Sequence, residues 1–429
     1  MTRMKESGID WIGQIPEEWE VIKFKYLGDV KQGLTYSPSD IVDKDEGILV
    51  LRSGNIQNGV LDFTNNVYVK TKVAESIVLR KNDILITARN GSSALIGKNA
   101  IIDTDIKATF GAFMMVFRTN KSLIAKFAFY LMNISFNFYR TFFATSTVNQ
   151  LTAAIFNGIE VPLPSIAEQQ KIADFLDKKT AQLDKIKALL GEQIQKLKDY
   201  RASLIYETVT KGLDKTVPMK DSGIDWIGQV PGGWGVKRLK DYVDFQTGTT
   251  PPQSIGVNQE RKGVRWFKPG DFSDESVDLT SAENYITSEV VIQQKLSVYP
   301  EKTILVVGIA SIGKVGYSEN HSYSNQQITA LKVTGQIFPK YLAYLMFSSG
   351  QYIRETALYT IVPIINNQYL SSLKIVLPNR VVQETIVEYL DKKIGQINKM
   401  IVIKNEQIKN INKQRQTLIY DYVTGKRRV

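Results

Sequence analysis

One stretch of the sequence has the spacing of a phosphate-binding loop. Gly308–Lys314 reads GIASIGK and matches the glycines and the lysine of a Walker A loop, which binds nucleotide phosphates. The next residue is Val315, where such loops carry the hydroxyl that binds magnesium, and the run VGYSEN predicts a strand and a turn instead of a helix. The related run Gly91–Lys98 is one residue longer and is followed by Asn99. We expect no nucleotide hydrolysis at either run.

Two other groups of residues lack an essential part of the chemistry they suggest. Thr249–Gln253 reads TTPPQ and has neither the amide nor the aromatic ring with which an Asn-Pro-Pro-aromatic loop holds a flipped base. The carboxylates Asp174, Asp177 and Glu388 fall on predicted helices, where we expect them to be solvated. The chain has no cysteine and one histidine, His321, which excludes disulfides, thiolate nucleophiles and multi-histidine metal sites. We therefore expect no catalytic residue, no metal site and no cofactor bound by this chain.

The chemistry that remains is recognition of a polyanion. The net charge is +11, and no acidic residue occurs between Asp105 and Glu160 or between Glu319 and Glu355. A surface that faces phosphates needs such an exclusion of carboxylates, although chance could also produce it. We therefore expect a surface that contacts nucleic acid in each half of the chain.

Candidate DNA contacts are the Arg, Lys, Asn and Gln residues that read bases and the hydroxyls that bond phosphates, taken at predicted loop tips. In the first half they are Lys31, Gln32, Thr35, Tyr36, Arg52, Ser53, Asn55, Arg89, Asn90, Ser92 and Lys98. In the second half they are Gln246, Thr247, Thr249, Lys268, Ser311, Lys314, Asn325, Gln326 and Gln327. The alternative for each Asn or Ser is that it only forms a turn.

An internal duplication organises the chain. Met4–Thr35 aligns without gaps to Met219–Thr250, and the LDKK run at Leu176–Lys179 returns at Leu390–Lys393. The period of about 214 residues means two domain-sized copies. The middles, residues 36–160 and 251–374, share little beyond a pattern of short strand-like runs followed by helical stretches, such as Ser122–Phe143 and Pro339–Leu358. Either the two middles recognise different things, or they have drifted since the duplication.

Each copy ends in a long predicted helix. Pro162 and Pro164 block a helix upstream, Ser165 stands at an N-cap position, and a helical pattern follows to about Tyr206. Apolar residues at heptad spacing form a coiled-coil seam, and the alternative is a long helix packed on its own domain. The seam residues are Leu176, Leu183, Leu190, Leu197, Leu204, Leu390, Ile394, Ile397, Ile401, Ile408, Ile411 and Leu418.

These patterns predict an α+β fold. Two mixed α/β domains form a tandem pseudo-two-fold repeat and are separated by two long antiparallel coiled-coil helices. The predicted boundaries are residues 1–164 for the first domain, 165–212 for the central helix, 213–378 for the second domain and 379–429 for the C-terminal helix. No apolar stretch follows the charged residues of the N-terminus and no apolar run could span a bilayer, so we expect no signal peptide and a cytoplasmic protein.

The sequence resembles the DNA-specificity subunits of type I restriction-modification systems over essentially its whole length. The resemblance rests on an opening motif, on the glycines that follow it, on the IGK runs and on a closing motif in each copy. The opening motif is Ser7–Trp19 and Ser222–Trp234, the glycines are Gly33 and Gly248, the IGK runs end at Lys98 and Lys314, and the closing motif is Leu163–Lys179 and Val376–Lys393.

The resemblance implies a non-catalytic subunit that binds double-stranded DNA. Each middle would be a target-recognition domain reading one half of a bipartite, asymmetric target, and the paired helices would bind two methyltransferase (M) subunits. Restriction/translocase (R) subunits would complete the complex, with S-adenosylmethionine, ATP and Mg on the partner subunits, for adenine methylation or cleavage. The alternatives are a stand-alone nucleotide-binding enzyme built on GIASIGK and a coiled-coil scaffold whose basic surface is incidental.

Overall fold

The computed structural model describes residues 3–140, 149–250, 257–258, 261–357 and 364–429, with 257–258 described by their backbone alone. Contacts divide the chain into a first unit, Met1–Leu189 with Glu406–Val429, and a second unit, Leu190–Asn405. Each unit holds one copy of the repeat and part of both long helices. The predicted boundaries gave the helices segments of their own, whereas the contacts divide each helix between the two units.

The first copy begins with short strands, and helices follow in its later part. Its elements are β1 (Met4–Glu6), β2 (Gln14–Pro16), β3 (Glu20–Lys23), β4 (Gly28–Gln32), β5 (Ile41–Val42), β6 (Ile48–Leu51), β7 (Ile56–Gln57), β8 (Val60–Leu61), β9 (Tyr68–Val69), β10 (Ile84–Thr87), β11 (Asn99–Ile101), β12 (Ala108–Phe110), β13 (Met114–Thr119), α1 (Ala125–Tyr139), α2 (Ala153–Gly158), β14 (Glu160–Leu163) and the long helix α3 (Ile166–Lys211).

Strand β10 lies in the middle of the first copy's core. It pairs with β11 and β13 in an antiparallel sheet of order β11-β10-β13-β4. Ile84 and Ile86 face one apolar cluster and Leu85 faces another, and all three are fully buried. A strand covered on both faces is expected to be apolar at successive positions, which explains the run Ile84-Leu85-Ile86. A neighbouring sheet has the order β12-β6-β9-β5, with β12 parallel to β6.

Across its described residues, the second copy has a similar order of strands and helices, without the β7–β8 hairpin and with more short helices. Its elements are β15 (Met219–Asp221), β16 (Gln229–Pro231), β17 (Gly235–Arg238), β18 (Val243–Thr247), β19 (Val257–Asn258), β20 (Val264–Phe267), β21 (Asn284–Ile286), α4 (Ser288–Gln293), β22 (Thr303–Val307), β23 (Val315–Ser318), β24 (Ser322–Ser324), β25 (Ile328–Val333), α5 (Pro339–Ser348), α6 (Gly350–Thr356), α7 (Asn367–Ser372), β26 (Lys374–Leu377) and the long helix α8 (Arg380–Val423).

The two divergent middles share one topology. The sheets of the second copy have the orders β23-β22-β25-β18 and β24-β20-β21-β19, which correspond strand for strand to those of the first copy. Ile304 and Val306 of β22 face one cluster while Leu305 and Val307 face another, as in β10. The predicted α+β class with two mixed domains in tandem is confirmed.

The shorter predicted helices differ in detail from those observed. The sequence predicted a helix over Ser122–Phe143, and α1 occupies Ala125–Tyr139, while residues 141–143 lie outside the described part of the chain. The stretch Pro339–Leu358 contains two helices, α5 and α6, which meet at Ser349. Leu358 lies outside the described residues.

The two long helices are antiparallel within each unit. In the first unit the rings of Phe175 on α3 and Tyr422 on α8 are 4.5 Å apart between centroids. In the second unit Arg201 Nη1 donates to Asn398 Oδ1 at 2.6 Å, and Lys404 Nζ donates to Gln193 Oε1 at 2.6 Å. Residue numbers on one helix rise as those on the other fall, so the predicted antiparallel helix pair is confirmed.

The predicted seam residues are turned away from solvent. Leu176, Leu390, Ile397 and Ile401 are buried, and the remaining eight are half-buried. The helices have 46 and 44 residues, which at 1.5 Å per residue makes each about 65–70 Å long. Apolar residues spaced by seven along such helices keep one stripe against a partner helix.

The opening motif receives the end of a long helix. In the first unit the hydroxyl of Tyr420 near the end of α8 donates to the carbonyl of Trp11 at 3.3 Å. In the second unit the hydroxyl of Tyr206 near the end of α3 donates to the carbonyl of Trp226 at 3.0 Å. Each copy has its own opening motif because each unit contains the end of one long helix, and the motif contacts that end.

Candidate nucleic-acid interface

A cleft of about 970 Å³ opens at one end of the first copy's sheets. It is lined by the loops that follow β4, β6 and β10 and by the turn between β12 and β13. Its lining includes six of the residues that the sequence predicted as DNA contacts, namely Thr35, Tyr36, Arg52, Ser53, Arg89 and Asn90. Among the described residues that line it there are two arginines and no carboxylate.

Arg52 is held by a tight turn after β6. Its backbone N–H donates to Asn55 Oδ1 at 2.9 Å, and its Nη2 lies 3.5 Å from the carbonyl oxygen of Asn65. Asn55 is only 1% exposed and donates from Nδ2 to the carbonyl of Asp62 at 2.9 Å. The buried amide of Asn55 is engaged in these bonds and positions Arg52, and the predicted contact of Asn55 with DNA stays a prediction.

Arg89 and Phe113 form a pair in the lining of the cleft. Arg89 Nη2 donates to Gln150 Oε1 at 2.9 Å, and its guanidinium carbon lies 5.9 Å from the centre of the Phe113 ring. The carbonyl of Phe113 accepts the backbone N–H groups of both Ala88 and Arg89 at 3.0 Å, which fixes the turn relative to β10. The ring of Phe113 is 62% exposed.

Sequence reasoning missed Phe113. The available signal was the run Gly111-Ala112-Phe113 between two strands, which places a large apolar ring at a loop tip. A search limited to polar base-reading residues passes over such a ring, although apolar side chains contact the methyl group of thymine.

Other predicted contacts of the first half lie outside the cleft lining. Lys31 Nζ is 3.6 Å from Asp29 Oδ2, and Gln32 ends β4 in an exposed position. Within the cleft lining, Asn90 accepts the N–H of Ser92 at 3.0 Å, which is the turn-forming role weighed as the alternative for these residues.

The two IGK lysines bind neighbouring backbone. Lys98 Nζ donates to the carbonyl of Ser53 at 3.3 Å, and Lys314 Nζ donates to the carbonyl of Phe272 at 3.3 Å and lies 3.5 Å from Asp274. Burial lowers the pKa of Lys98. Both lysines thus tie the IGK run to the turn that follows the neighbouring strand.

The nucleotide-loop interpretation of GIASIGK is not supported. The run connects β22 to β23, and the predicted strand directly after Lys314 is confirmed as β23. A Walker A loop leads into a helix whose N-terminus faces the phosphates, and that helix is missing here.

The second copy presents amides at the equivalent end of its sheets. Gln326 is exposed and accepts the hydroxyl of Thr250, while Gln327 Oε1 accepts Asn325 Nδ2 at 2.9 Å. Asn325 is buried and its side chain bonds Gln327, so it positions Gln327, and its own contact with DNA stays a prediction. The ammonium of Lys268 lies 5.0 Å from the centre of the Trp266 ring.

The remaining candidates of the second half are partly engaged within their own unit. Gln246 Nε2 donates to the carbonyl of Ser297 at 2.7 Å, Thr249 bonds the hydroxyl of Tyr323, and Thr247 Oγ1 is 3.5 Å from Asn367 Nδ2. Ser311 is exposed. Pro251, Pro252 and Gln253 of the TTPPQ run lie outside the described residues.

The acid-poor run of the first copy is partly interior, and two of its basic residues pair with carboxylates, while its turn at Gly111–Phe113 lines the cleft. Arg118 donates to both oxygens of Asp83, at 2.8 and 2.7 Å, and Asp83 is 1% exposed. Lys126 pairs with Asp177, which also accepts the hydroxyl of Tyr130 at 2.8 Å. One face of α1 and most of β13 are buried, which accounts for part of the absence of carboxylates. Asp177 anchors α1 and stays partly exposed, whereas Asp174 and Glu388 are exposed as the sequence predicted.

Two general features bear on the kind of site this is. Across the described ranges, no three His, Asp or Glu side chains come together as metal ligands. Within the same part of the chain, each helix is too short or too polar to cross a lipid bilayer.

Comparison with known families identifies the class. A profile of the type I restriction modification DNA specificity domain matches residues 16–197 and again 231–410. The chain belongs to this family, and the resemblance inferred from the opening and closing motifs is confirmed.

Individual relatives carry the same description. The type I restriction enzyme StySPI specificity subunit of Salmonella potsdam is 32% identical over 219 residues, which cover 50% of this chain and 47% of that protein. The EcoKI specificity subunit of Escherichia coli is 32% identical over 198 residues, 45% and 43% of the two chains. The matched region thus spans about half the length of these two relatives. The MjaVIII specificity subunit of Methanocaldococcus jannaschii is 23% identical over 443 residues and is covered to 94%.

Solved structures share the fold. A chain from a type I R-M system studied for its complex assembly and conformational transition superposes with a TM-score of 0.72 at 18% identity, covering 96% of this chain and 99% of that one. The HsdS subunit from Thermoanaerobacter tengcongensis superposes with a TM-score of 0.52 at 17% identity, covering 96% and 98%.

Proposed function

We propose that the chain is the sequence-reading subunit of a type I restriction-modification complex. It binds a bipartite, asymmetric DNA target, one half-site to each copy, and itself breaks and makes no covalent bond. The observation that carries the proposal is the cleft of the first copy, where Arg52 and Arg89 stand without any carboxylate among the described lining residues. Arginine binds both phosphates and the guanine edge, and a carboxylate in the cleft would repel the DNA backbone.

On this proposal the chemistry belongs to partner subunits in the cytoplasm. Two M subunits supply adenine methylation with S-adenosylmethionine, and R subunits supply ATP- and Mg-dependent translocation and cleavage. Exposed apolar residues spaced by three on the long helices support partner binding, because adjoining exposed apolar side chains are typical of protein interaction sites. Ile186 and Leu189 are about half exposed in the first unit, as are Met400, Val402 and Ile403 in the second.

The test replaces the two cleft arginines. Arg52→Ala with Arg89→Ala should lower affinity for target DNA by at least about 30-fold, since each good arginine contact contributes on the order of 1–3 kcal/mol and two are lost. Binding of the assembled complex to duplex DNA at fixed salt measures this. Lys121→Ala is the matched control, because Lys121 is exposed in the same unit but follows the opposite end of β13.

Mapping methylated adenines in cells with and without the chain identifies the DNA sequence that the complex recognises. Methylation that does not depend on the chain would contradict the proposal and favour a coiled-coil scaffold. Tight ATP binding by the purified chain, lost in Lys314→Ala, would favour a nucleotide-binding enzyme.

A further inference from the structure

The backbone hydrogen bonds define which residues of the two copies are equivalent. The N–H of Ala88 donates to the carbonyl of Phe113 at 3.0 Å, and the N–H of Gly308 donates to the carbonyl of Gln327 at 2.8 Å. In the first copy the bond joins the residue after β10 to the last residue of the turn before β13. In the second copy it joins the residue after β22 to the last residue of the turn before β25. Phe113 in the first copy therefore occupies the position of Gln327 in the second.

A second pair of contacts extends the equivalence. Arg89 forms an isolated antiparallel bridge with Gln150, and Ile309 forms the same bridge with Ile364. Arg89 follows Ala88 directly, as Ile309 follows Gly308. Arg89 thus corresponds to Ile309, and Gln150 corresponds to Ile364.

The turn itself aligns in the same way. The N–H of Gly111 donates to the carbonyl of Leu51 at 3.0 Å, and the N–H of Asn325 donates to the carbonyl of Phe267 at 3.2 Å. Gly-Ala-Phe in the first copy therefore stands where the second copy has Asn-Gln-Gln.

The chemistry differs at these equivalent positions while the surrounding scaffold is kept. The first copy presents a guanidinium oriented by Gln150, next to an exposed aromatic ring. The second presents two isoleucines, of which Ile364 is exposed, next to amides. A cation is retained at Arg52 and Lys268, each with its backbone N–H bonded to the side chain three residues later.

We infer that the bridge positions and this turn form the base-reading set of each copy, and that the retained cation binds the DNA backbone. This inference rests on the proposed function. In the first copy Arg89 binds the guanine edge and Phe113 contacts an adjacent thymine methyl group. In the second copy Gln326 and Gln327 bind adenine, and the isoleucine pair contacts a thymine methyl group. Guanidinium groups match guanine O6 and N7, amides match adenine N6 and N7, and apolar groups match the thymine methyl.

The experiment exchanges the bridge pair. Arg89→Ile with Gln150→Ile installs in the first copy the pair that the same backbone bridge carries in the second, so folding is preserved by design. The full chain, assembled with a methyltransferase subunit, selects from a randomised duplex library whose bound molecules are sequenced. The variant should lose preference for one guanine in the first half-site by about 5- to 100-fold and leave the second half-site unchanged.

A second variant tests the turn. Phe113→Gln should change the preference at one neighbouring thymine only. Tyr26→Gln is its control, because Tyr26 is 59% exposed and precedes β4, whereas Phe113 lies at the other end of the same strand pair. In the second copy, Gln326→Ala should relax one adenine of the second half-site and leave the first half-site intact.

The outcomes separate the inference from the function on which it rests. A wild-type complex that selects no sequence contradicts the proposed function. If the wild-type complex selects a target and the variants select the same bases, the base-reading set alone is overturned. Folded variants that lose affinity equally for all sequences also overturn it, because uniform loss indicates a contact to the DNA backbone.

Discussion

At the scale of single residues, two buried glutamines explain part of the closing motif. Gln169 Oε1 accepts the N–H of Ile124 at 2.8 Å, just before α1, and its Nε2 donates to the carbonyl of Pro164 at 2.9 Å. Gln383 makes the same two bonds, to Phe338 and to Pro378. Each amide satisfies backbone groups of two elements at once, so the glutamine that follows Leu-Pro is structural.

Replacing this amide should destabilise the fold. Gln169→Leu leaves the N–H of Ile124 and the carbonyl of Pro164 buried without partners, which costs about 2–4 kcal/mol of unfolding free energy. Urea unfolding of the full chain measures the loss. Gln170→Leu is the control, because Gln170 is exposed, and it should change stability by less than about 0.5 kcal/mol. Equal effects of the two substitutions would contradict the structural role.

Tyr299 should make the second unit sensitive to alkali. Its ring is fully buried and its hydroxyl lies 2.8 Å from Ser324 Oγ. Burial raises the pKa of Tyr299 from 10.0 to about 12. Because the folded pKa lies above the unfolded one, the stability it contributes is complete below pH 10 and is lost as the pH rises toward 12.

Unfolding titrations between pH 8 and pH 12 test this, and Tyr299→Phe should show a shallower decline over that interval than the unaltered chain. An unchanged slope in the variant would mean that other groups cause the alkaline loss.

At the scale of elements, the ends of the long helices are matched to the opening motif. Gly425 follows α8 with φ +71°, and a Cβ there would lie 2.3 Å from Pro16 Cδ. Gly212 follows α3 with φ +72° and faces Trp234 and Pro231. A left-handed glycine ends each helix, and its missing side chain lets the motif pack against the helix end.

Two glycine substitutions should therefore change the free energy of unfolding in opposite directions. Gly425→Ala should lose about 1–3 kcal/mol, since it adds both backbone strain and a clash. Gly191→Ala should gain about 0.5–1 kcal/mol, because Gly191 lies inside α3 with no heavy atom within 4 Å of an added Cβ. Thermal or urea unfolding compares the two. A stabilised Gly425→Ala would show that the helix end does not pack as described.

At the scale of the whole molecule, the two copies share one sheet topology but carry different side chains in the loops at the ends of their sheets. The contact of Arg201 with Asn398 in the second unit has a counterpart in the first, where Arg415 Nε lies 3.7 Å from Asp184 Oδ1. Both helices continue from one unit into the other, and their pairing residues repeat with the same offset of about 214 that relates the domains.

On the proposed function, helix length sets the number of unread base pairs between half-sites. One added heptad in each long helix, inserted at facing positions near Leu183 and Arg415, lengthens the pair by about 10 Å at 1.5 Å per residue. The unread gap should grow by about three base pairs, at roughly 3.4 Å each, with both half-sites unchanged. Methylation mapping reads the new target. A changed half-site with an unchanged gap would contradict this division of roles.

The sequence by itself determined the duplication, the α+β class and the extent of the long helices. These follow from local signals: proline and cap residues before Ile166, heptad leucines along α3, and repeated motifs that need no tertiary information. The strand after Lys314 was predictable for the same reason, because alternation and turn residues act over a few positions.

Only the tertiary structure decided which side chains meet. Asp177 is anchored by Tyr130, 47 residues away, and Arg89 is oriented by Gln150, 61 residues away. Phe113 became a candidate contact only when its turn was placed beside Arg89. Such pairings depend on how sheets and helices pack, and packing is set by the sum of many weak contacts between distant segments, which no local pattern encodes.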